Sequence, residues 1–206
     1  MQQLEKVAWD RHSYLFDGQR RFLVSGEFHY FRVPKEDWRR RLRLWKDAGG
    51  NAIATYVPWL IHEPEEGRFA FGPEPWRQVE AFLELCAEEH VHVIARPGPY
   101  QYSELRGNGV PLWLFEKYPQ LLATDLAGKP RSRISASYIH PIFLEKTKAW
   151  FDQVCQLLVK YTLDRGGPIA MAQFDNELMG IHEWCGGWDY NAQSMGFGRE
   201  DGRYAS

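Results

Sequence analysis

The chain has 206 residues, of which 44% are hydrophobic and 25% are charged, so its composition excludes a collagen-like, disordered or coiled-coil protein. Its 25 basic and 27 acidic side chains give a formal net charge of −2, which argues against nucleic acid or an anionic membrane as a partner. The length favours one domain or part of a larger one, and the balanced charge favours a neutral ligand.

The first residues and the cysteines predict the compartment. Residues 1–6 hold no basic stretch followed by an apolar one, and no apolar run approaches the roughly 20 residues of a membrane helix. The 3 cysteines show no C-x-x-C spacing, and neither His62-Glu63 nor His182-Glu183 extends to an H-E-x-x-H zinc motif. We therefore predict a cytoplasmic protein that needs no metal or cofactor and has no membrane segment.

The predicted elements begin with a hairpin that leads into the first strand of a sheet. Apolar runs at residues 14–16 and 22–24 flank Asp17-Gly18, a pair that supplies the positive φ angles of a tight turn. The second arm continues into a polar and aromatic segment at residues 25–30.

A helix is predicted over residues 35–48, ending at a pair of glycines. The apolar side chains that recur at helical spacing are Trp38, Leu42, Trp45 and Ala48. The other face carries the basic residues Arg39, Arg40, Arg41, Arg43 and Lys46. A polyanion site would use such a face, but the near-neutral overall charge favours a solvated outer surface.

Strands and helices alternate along the rest of the chain. Short apolar runs predict strands at residues 51–57, 90–96 and 169–174. Helical patterns begin at Pro75, with Trp76 on the apolar stripe, and cover residues 141–163, and a short helical piece lies at residues 112–118. Short apolar strands that alternate with helices indicate an α/β protein built from parallel βα units.

Each predicted strand ends in a cluster of polar and aromatic residues. The clusters are Glu27-His29-Tyr30-Arg32, Tyr56-Trp59-His62-Glu63, Arg96-Tyr100-Glu104 and Asp175-Asn176-Glu177. Any one of them is explained by ordinary loop polarity. Because barrel enzymes carry their chemistry at the carboxyl ends of the strands, four such clusters together predict an active-site rim.

The chemistry at this rim is predicted to depend on carboxylates. The sequence shows no nucleophile elbow and no phosphate-binding loop, whereas Glu104 and Glu177 each follow a strand beside aromatic residues. Paired carboxylates with aromatic walls suit glycosidic bond cleavage, in which one protonates the departing oxygen and the other attacks or stabilises the sugar carbon. A neutral carbohydrate is therefore the expected partner.

Several segments form an ordered series of motifs. They include Ser25-Gly26-Glu27-Phe28-His29-Tyr30, Thr55-Tyr56-Val57-Pro58-Trp59, His62-Glu63-Pro64, Arg96-Pro97-Gly98-Pro99-Tyr100, Pro111-x-Trp113-Leu114 and Asn176-Glu177. In this order they resemble the β-galactosidases of glycoside hydrolase family 35. The resemblance implies a (β/α)8 TIM-barrel fold, with residues 1–206 forming the N-terminal portion of the catalytic domain. Only strands 1–4 of that barrel and their helices are then present in this chain, and its C-terminal half is missing.

The resemblance also implies roles for individual residues. Glu177 resembles the proton donor of the family, and Asn176 resembles the residue that holds the sugar 2-hydroxyl. The residues that resemble its other substrate contacts are Tyr56, Ser103 and Glu104, and Ser103 stands where the family usually has alanine. No cofactor is implied.

Two of these assignments have structural alternatives, and departures from the family pattern, which include the loop at residues 105–109, bear on the sugar. The alternative role of Tyr56 is to pack the top of the barrel, and the alternative role of Glu104 is to form an ion pair with Arg96. The family usually has asparagine where this chain has Leu60, and glutamate where it has Asp175. A β-linked sugar other than galactose therefore stays an alternative substrate.

The implied reaction is hydrolysis of terminal β-linked galactose, or of a similar β-glycoside, by a retaining double displacement. Glu177 would be the general acid/base, and the nucleophilic glutamate would lie beyond this chain. The alternative is a catalytically incomplete fragment that binds sugar without turnover. A third hypothesis is self-association, in which a half-barrel buries its exposed sheet edges against a second copy.

Overall fold

The computed structural model describes residues 7–177 and 189–196. The strands in these ranges are β1 (Val7–Trp9), β2 (Tyr14–Phe16), β3 (Gln19–Arg21), β4 (Ser25–Glu27), β5 (Ala52–Tyr56), β6 (His92–Gly98) and β7 (Ile169–Phe174). The helices are α1 (Trp38–Asp47), α2 (Trp59–His62), α3 (Val79–Glu88), α4 (Leu112–Lys117), α5 (Pro141–Leu158) and α6 (Ala192–Met195). Within the described residues, no helix has the length and apolar character that crossing a membrane requires.

The strands form two sheets. Strands β1, β2 and β3 make a small antiparallel sheet, and β4, β5, β6 and β7 lie side by side, in chain order, in a parallel sheet. The parallel sheet confirms the βα units that the alternating pattern predicts. Because its strands are parallel, their carboxyl ends all lie along one edge of the sheet.

The chain divides into two compact units. The first consists of Met1–Val57, Ala70–Gly98 and Gln153–Phe174, and it contains both sheets together with α1 and α3. The second consists of Pro58–Phe69, Pro99–Asp152 and Asp175–Ser206, so each of its segments follows the carboxyl end of a strand. That residues 1–206 form part of one barrel domain stays a prediction.

An aromatic cluster forms the core of the first unit. Trp38 of α1 meets Phe82 of α3 edge to face, with ring centroids 5.2 Å apart. Phe28, the residue after β4, stacks on the same Phe82 ring at 5.1 Å. Trp38 and Phe82 are fully buried, so each contributes roughly 2–3 kcal/mol from removal of its apolar surface from water. These contacts hold α1 and α3 against the start of the β4–α1 connection.

Trp45 of α1 explains two of the glycines in the first unit. Its indole Nε1 donates a hydrogen bond of 2.8 Å to the carbonyl oxygen of Ala52, the first residue of β5. A Cβ atom at Gly50 would lie 2.0 Å from Cε2 of this indole, and one at Gly26 would lie 3.1 Å from Cζ2. The absence of a side chain at Gly50 is therefore required for the helix to approach the sheet this closely.

A buried carboxylate, that of Glu63, accepts hydrogen bonds within the second unit. Glu63 is 3% exposed, and its carboxylate accepts hydrogen bonds from Trp59 Nε1 at 2.5 Å and from the backbone N–H of Gly67 at 2.7 Å. The Trp59 ring stacks on Trp150 of α5 with centroids 6.2 Å apart. Burial raises the pKa of Glu63. Of the predicted strand-end residues, Glu63 and Trp59 therefore have a structural role.

The hairpin differs from the prediction in its second arm. Asp17 (φ 49°) and Gly18 (φ 77°) form the predicted turn, and this two-residue turn places Gln19 opposite Phe16. The second arm is therefore β3 at residues 19–21, and Phe22 lies beyond it with 84% of its surface exposed. Strand β3 consists of exposed polar residues, so it carries no apolar signal in the sequence.

Two predicted helices have different limits in the structure. Helix α3 begins at Val79, because Gln78 (φ −82°, ψ 56°) has a non-helical backbone. Trp76 therefore lies outside the helix and is 49% exposed, contrary to its predicted place on the apolar stripe. Helix α5 ends at Leu158, after which the backbone tightens into 3-10 turns and becomes extended at Thr162.

Candidate functional site

The first cluster of candidate residues surrounds Tyr56, the last residue of β5. Tyr56 and Arg96 are register partners on adjacent strands, so their side chains leave the sheet on the same side. The guanidinium carbon of Arg96 lies 4.0 Å from the centroid of the Tyr56 ring. The imidazole of His29 stacks on that ring with centroids 5.2 Å apart. Tyr56 is 5% exposed, so its ring is packed among these neighbours.

Glu27, the last residue of β4, contacts two of the groups that touch the Tyr56 ring. Its Oε1 accepts a hydrogen bond from Nη1 of Arg96, and its Oε2 lies 3.0 Å from Nε2 of His29. The side chains of Arg96 and His29 are 11% and 14% exposed, whereas that of Glu27 is 50% exposed. The sequence analysis considered an ion pair between Arg96 and Glu104 as an alternative role for Glu104. In the structure, Arg96 forms an ion pair with Glu27.

His29 is neutral near pH 7 in this setting. Burial, together with the positive charges of Arg32 and Arg96, lowers the pKa of His29 to about 4. Its Nε2–H then donates to the Glu27 carboxylate. The contact is a hydrogen bond assisted by one charge rather than an ion pair between two.

Ser103 and Glu104 lie in a tight turn of the second unit. Tyr102, Ser103 and Glu104 are consecutive residues with left-handed backbone angles, φ 55°, 49° and 53°. The backbone N–H groups of Gln101 and Tyr102 both donate to the carbonyl oxygen of Asn108, at 2.9 and 3.1 Å. The Glu104 side chain is exposed. Left-handed non-glycine residues cost about 1 kcal/mol each and are concentrated at functional sites.

The predicted acid follows β7 in the chain. Asp175 (φ 62°) and Glu177 (φ 49°) also have left-handed backbones, and the Asp175 carboxylate accepts the backbone N–H of Asn176 at 2.8 Å. Burial raises the pKa of Asp175, while hydrogen bonds from Asn176 and Tyr138 act against that rise. The Glu177 side chain is exposed. Asn176 Nδ2 donates to the carbonyl oxygen of Gln101 at 3.4 Å, which joins this segment to the turn of Ser103 and Glu104.

The structure thus places the predicted site residues in two groups. Tyr56 belongs to the first unit with Glu27, His29 and Arg96, and the second unit holds Ser103, Glu104, Asn176 and Glu177. The roles of these residues stay predictions. The sequence did not reveal that Glu27 tethers two neighbours of Tyr56, since that follows from strand register. In residues 7–177 and 189–196, no cluster of three or more His, Cys, Asp or Glu side chains is arranged to hold a metal ion.

Comparison with known proteins identifies close sequence relatives. The chain matches the family model "Glycosyl hydrolases family 35" from residue 13 to residue 186. A β-1,2-glucosyltransferase of Ignavibacterium album is 39% identical over 188 residues, which are 89% of this chain and 26% of that protein. An exo-β-D-glucosaminidase of Thermococcus kodakarensis is 39% identical over 84% of this chain and 22% of its own length. The human β-galactosidase is 36% identical over 85% of this chain and 24% of its own length.

Solved structures share the fold. A β-galactosidase from Bacillus circulans sp. alkalophilus aligns with a TM-score of 0.60 and 17% identity, over 82% of this chain and 22% of its own. A β-galactosidase from the psychrophilic Marinomonas ef1 aligns with a TM-score of 0.59 and 19% identity, over 76% of this chain and 22% of its own. The predicted fold class is confirmed, because β4–β7 and their helices correspond to part of a (β/α)8 barrel. The chain spans about a quarter of the length of the curated relatives described above.

Proposed function

Because the chain belongs to glycosyl hydrolases family 35, we propose that it supplies the acid/base part of an active site that hydrolyses terminal β-linked galactose. The observation that carries the proposal is the Asn176-Glu177 pair, which follows the last strand of the parallel sheet and lies inside the matched region. Barrel enzymes place their catalytic groups at this edge of the sheet. The partner is a neutral carbohydrate, which agrees with the near-zero net charge of the chain.

The proposed reaction is a retaining double displacement. The Glu177 carboxyl group protonates the glycosidic oxygen as the bond to the leaving group breaks, while a second carboxylate attacks the sugar carbon. Glu177 then takes a proton from the water that hydrolyses the glycosyl-enzyme intermediate. The second carboxylate belongs to sequence outside these 206 residues, and the mechanism requires it to lie roughly 5–5.5 Å from Glu177.

The remaining site residues are proposed to hold the sugar. The Asn176 amide donates to the 2-hydroxyl, a contact that strengthens as the transition state forms. The exposed Glu104 carboxylate accepts hydrogen bonds from sugar hydroxyl groups, and the Ser103 hydroxyl and the Tyr56 phenol add further polar contacts. The left-handed backbones of Ser103, Glu104 and Glu177 support this assignment, because such strain is concentrated at functional sites.

A second candidate is a site for glucose or glucosamine. The relatives named β-1,2-glucosyltransferase and exo-β-D-glucosaminidase are both 39% identical to this chain, against 36% for human β-galactosidase. The departures at Leu60 and Asp175 agree with a changed sugar. We expect comparison of kcat/KM for 4-nitrophenyl β-galactoside, β-glucoside and β-glucosaminide to identify the preferred sugar.

The acid/base role is tested with Glu177→Gln in the natural protein that carries this sequence. We expect kcat/KM for lactose, whose leaving group must be protonated, to fall about 1,000-fold. The loss with 2,4-dinitrophenyl β-galactoside, whose leaving group departs without a proton, should be at most about tenfold. Azide should rescue the variant on the activated substrate and give β-galactosyl azide, with retained configuration.

Glu116→Gln is the matched control, since Glu116 is an exposed glutamate on α4. This variant should keep wild-type kcat/KM on both substrates. Equal losses on the two substrates in Glu177→Gln would contradict the acid/base assignment. A wild-type protein that binds galactose in calorimetry but hydrolyses none of the glycosides would instead support the alternative of binding without turnover.

A further inference from the structure

We propose that Glu27 is a positioning residue, which orients the Tyr56 phenol toward the sugar by fixing Arg96 and His29 against the Tyr56 ring. This inference rests on the proposed function, because it concerns the same sugar site. It adds a residue whose role is exerted through another side chain and needs no contact with the substrate.

Strand register places these side chains on one side of the sheet. Glu27 of β4 is the partner of Ala54, which lies two residues before Tyr56 on β5, and Arg96 of β6 is the partner of Tyr56. Side chains two residues apart on a strand point to the same side. The Glu27–Arg96 ion pair therefore links two strands that are separated by β5, the strand that carries Tyr56.

One carboxylate contacts two neighbours of the Tyr56 ring. One Glu27 oxygen bonds the Arg96 guanidinium, and the other lies 3.0 Å from His29 Nε2. That guanidinium lies 4.0 Å from the centroid of the Tyr56 ring, and the imidazole stacks on the same ring. Neither neighbour can shift without losing its bond to Glu27.

The burial of the cluster makes this arrangement sensitive to Glu27. The Arg96 side chain is 11% exposed, and a guanidinium so little hydrated needs a paired carboxylate. When that pair is lost, we expect the Arg96 guanidinium to shift relative to the Tyr56 ring. A displacement of about 1 Å in a substrate-positioning group is enough to lower a rate roughly 100-fold.

Glu27 has two other conceivable roles. Its side chain is 50% exposed, so it could bind the sugar itself, or it could merely stabilise the fold. A double-mutant cycle with Tyr56 separates these roles, because a residue that acts through Tyr56 has no further effect once the Tyr56 hydroxyl is gone.

The cycle consists of Glu27→Gln, Tyr56→Phe and the double variant in the natural protein that carries this sequence, with 4-nitrophenyl β-D-galactoside as the probe. We expect each single variant to lower kcat/KM about tenfold, and the double variant to lower it about tenfold as well. If the two losses instead multiply, so that kcat/KM of the double variant falls about 100-fold, the proposal is overturned.

Glu89→Gln is the matched control. The Glu89 carboxylate also bonds two cationic side chains, those of Arg39 and Arg43, and it lies directly after α3. We expect this variant to retain wild-type kcat and KM. A loss in Glu89→Gln equal to that in Glu27→Gln would overturn the proposal, because it would show that destabilisation alone lowers activity. If Glu27→Gln does not fold, Arg96→Lys replaces it in the cycle, since lysine keeps the charge but not the planar guanidinium.

A spectroscopic measurement separates this inference from the proposed function. With ¹³C-labelled tyrosine, the Tyr56 ring signal is identified by its disappearance in Tyr56→Phe. We expect Glu27→Gln to shift that signal, and Glu89→Gln to leave it in place. Failure of the wild-type protein to hydrolyse any glycoside would refute the proposed function, whereas an unchanged Tyr56 signal in Glu27→Gln would refute the positioning role.

Discussion

His29 stays uncharged although three charged side chains surround it. Glu27 favours the protonated imidazole, while Arg32 and Arg96 oppose it. Burial of the ring, the largest cause, adds to the effect of the two arginines, and the pKa falls from 6.5 to about 4. Because the pKa of His29 is lower in the folded chain than in the unfolded chain, protonation of His29 favours unfolding.

We predict that acidification destabilises the protein through His29. The unfolded chain takes up a proton on this residue near pH 6.5 but the folded chain only near pH 4. The contribution of His29 to the free energy of unfolding is therefore fully present above pH 6.5. It falls by up to ~1.4 kcal/mol per pH unit as the pH drops toward 4, and it changes little below pH 4. Urea unfolding at pH 7 and pH 5 measures this loss.

His29→Gln is the control, because its amide can still donate to Glu27 but does not titrate. Between pH 7 and pH 5 the wild-type protein should lose about 2 kcal/mol more than this variant. Equal losses in the two proteins would show that His29 is not the group responsible.

Single residues also show where sequence reasoning succeeds and where it stops. The predicted strand ends indicated Tyr56, the last residue of β5, and Glu177, which follows β7; the roles of both stay predictions. The tether formed by Glu27 could not be predicted, since its partners are 69 and 2 positions away in the chain and only the register of β4, β5 and β6 brings all the side chains together. Residue types report local propensity, whereas this contact depends on alignment between strands.

The turn at Tyr102, Ser103 and Glu104 has an unusual backbone for the described part of the chain. Each of its residues has a left-handed backbone, although none is glycine. The two backbone hydrogen bonds to Asn108 stabilise the turn against that cost. A chain segment that keeps three such residues has its geometry fixed by its surroundings rather than by its own preferences.

We predict that substitutions at Ser103 follow backbone preference. Ser103→Val should destabilise the protein by about 1–2 kcal/mol, because a β-branched side chain is poorly accommodated at φ 49°. Ser103→Gly should be nearly neutral, since relief of strain offsets the greater freedom of the unfolded chain. Denaturant midpoints measure both effects, and a valine variant as stable as the glycine variant would contradict this account.

Element prediction succeeded where the apolar signal was strong. Strand β7 was predicted with its observed limits, and β5 within one residue at each end. Strand β3 was missed because it is polar and exposed, so its place is set by the Asp17-Gly18 turn. The left-handed turn at residues 102–104 also gave no sequence signal, because its residues are not the glycines that such angles favour.

The two sheets of the first unit differ sharply in burial, which indicates unequal local stability. Residues of β5 and β6 are mostly buried and have hydrogen-bonded strands on both sides, whereas those of β1 and β3 are mostly exposed. Segments with few buried contacts open locally at a lower free energy than global unfolding requires.

We predict that hydrogen exchange will show this difference directly. Amides of β5 and β6 should exchange at least about 100-fold more slowly than those of β1–β3, because their opening requires disruption of the core. Exchange followed by mass spectrometry on the natural protein tests this. Similar protection of the two sheets would mean that the antiparallel sheet is stabilised by contacts other than those described.

At the scale of the whole molecule, the family and the parallel sheet could be predicted from the sequence. The family is indicated by motifs that occur in a fixed order, and the sheet by strands that alternate with helices. The division into two compact units could not be predicted, since each unit is assembled from segments that are far apart in the chain. The sugar of the proposed site could not be predicted either, because relatives of similar identity carry the names of enzymes for different sugars.

The packing of Trp45 against Gly26 and Gly50 has a consequence for how the sequence can evolve. A side chain at Gly50 would overlap the indole, and one at Gly26 would press on it. A smaller residue at position 45 would open a void that neither glycine fills. The three positions are therefore expected to covary, so that among homologous chains a loss of the tryptophan accompanies the appearance of a side chain at one of the glycines.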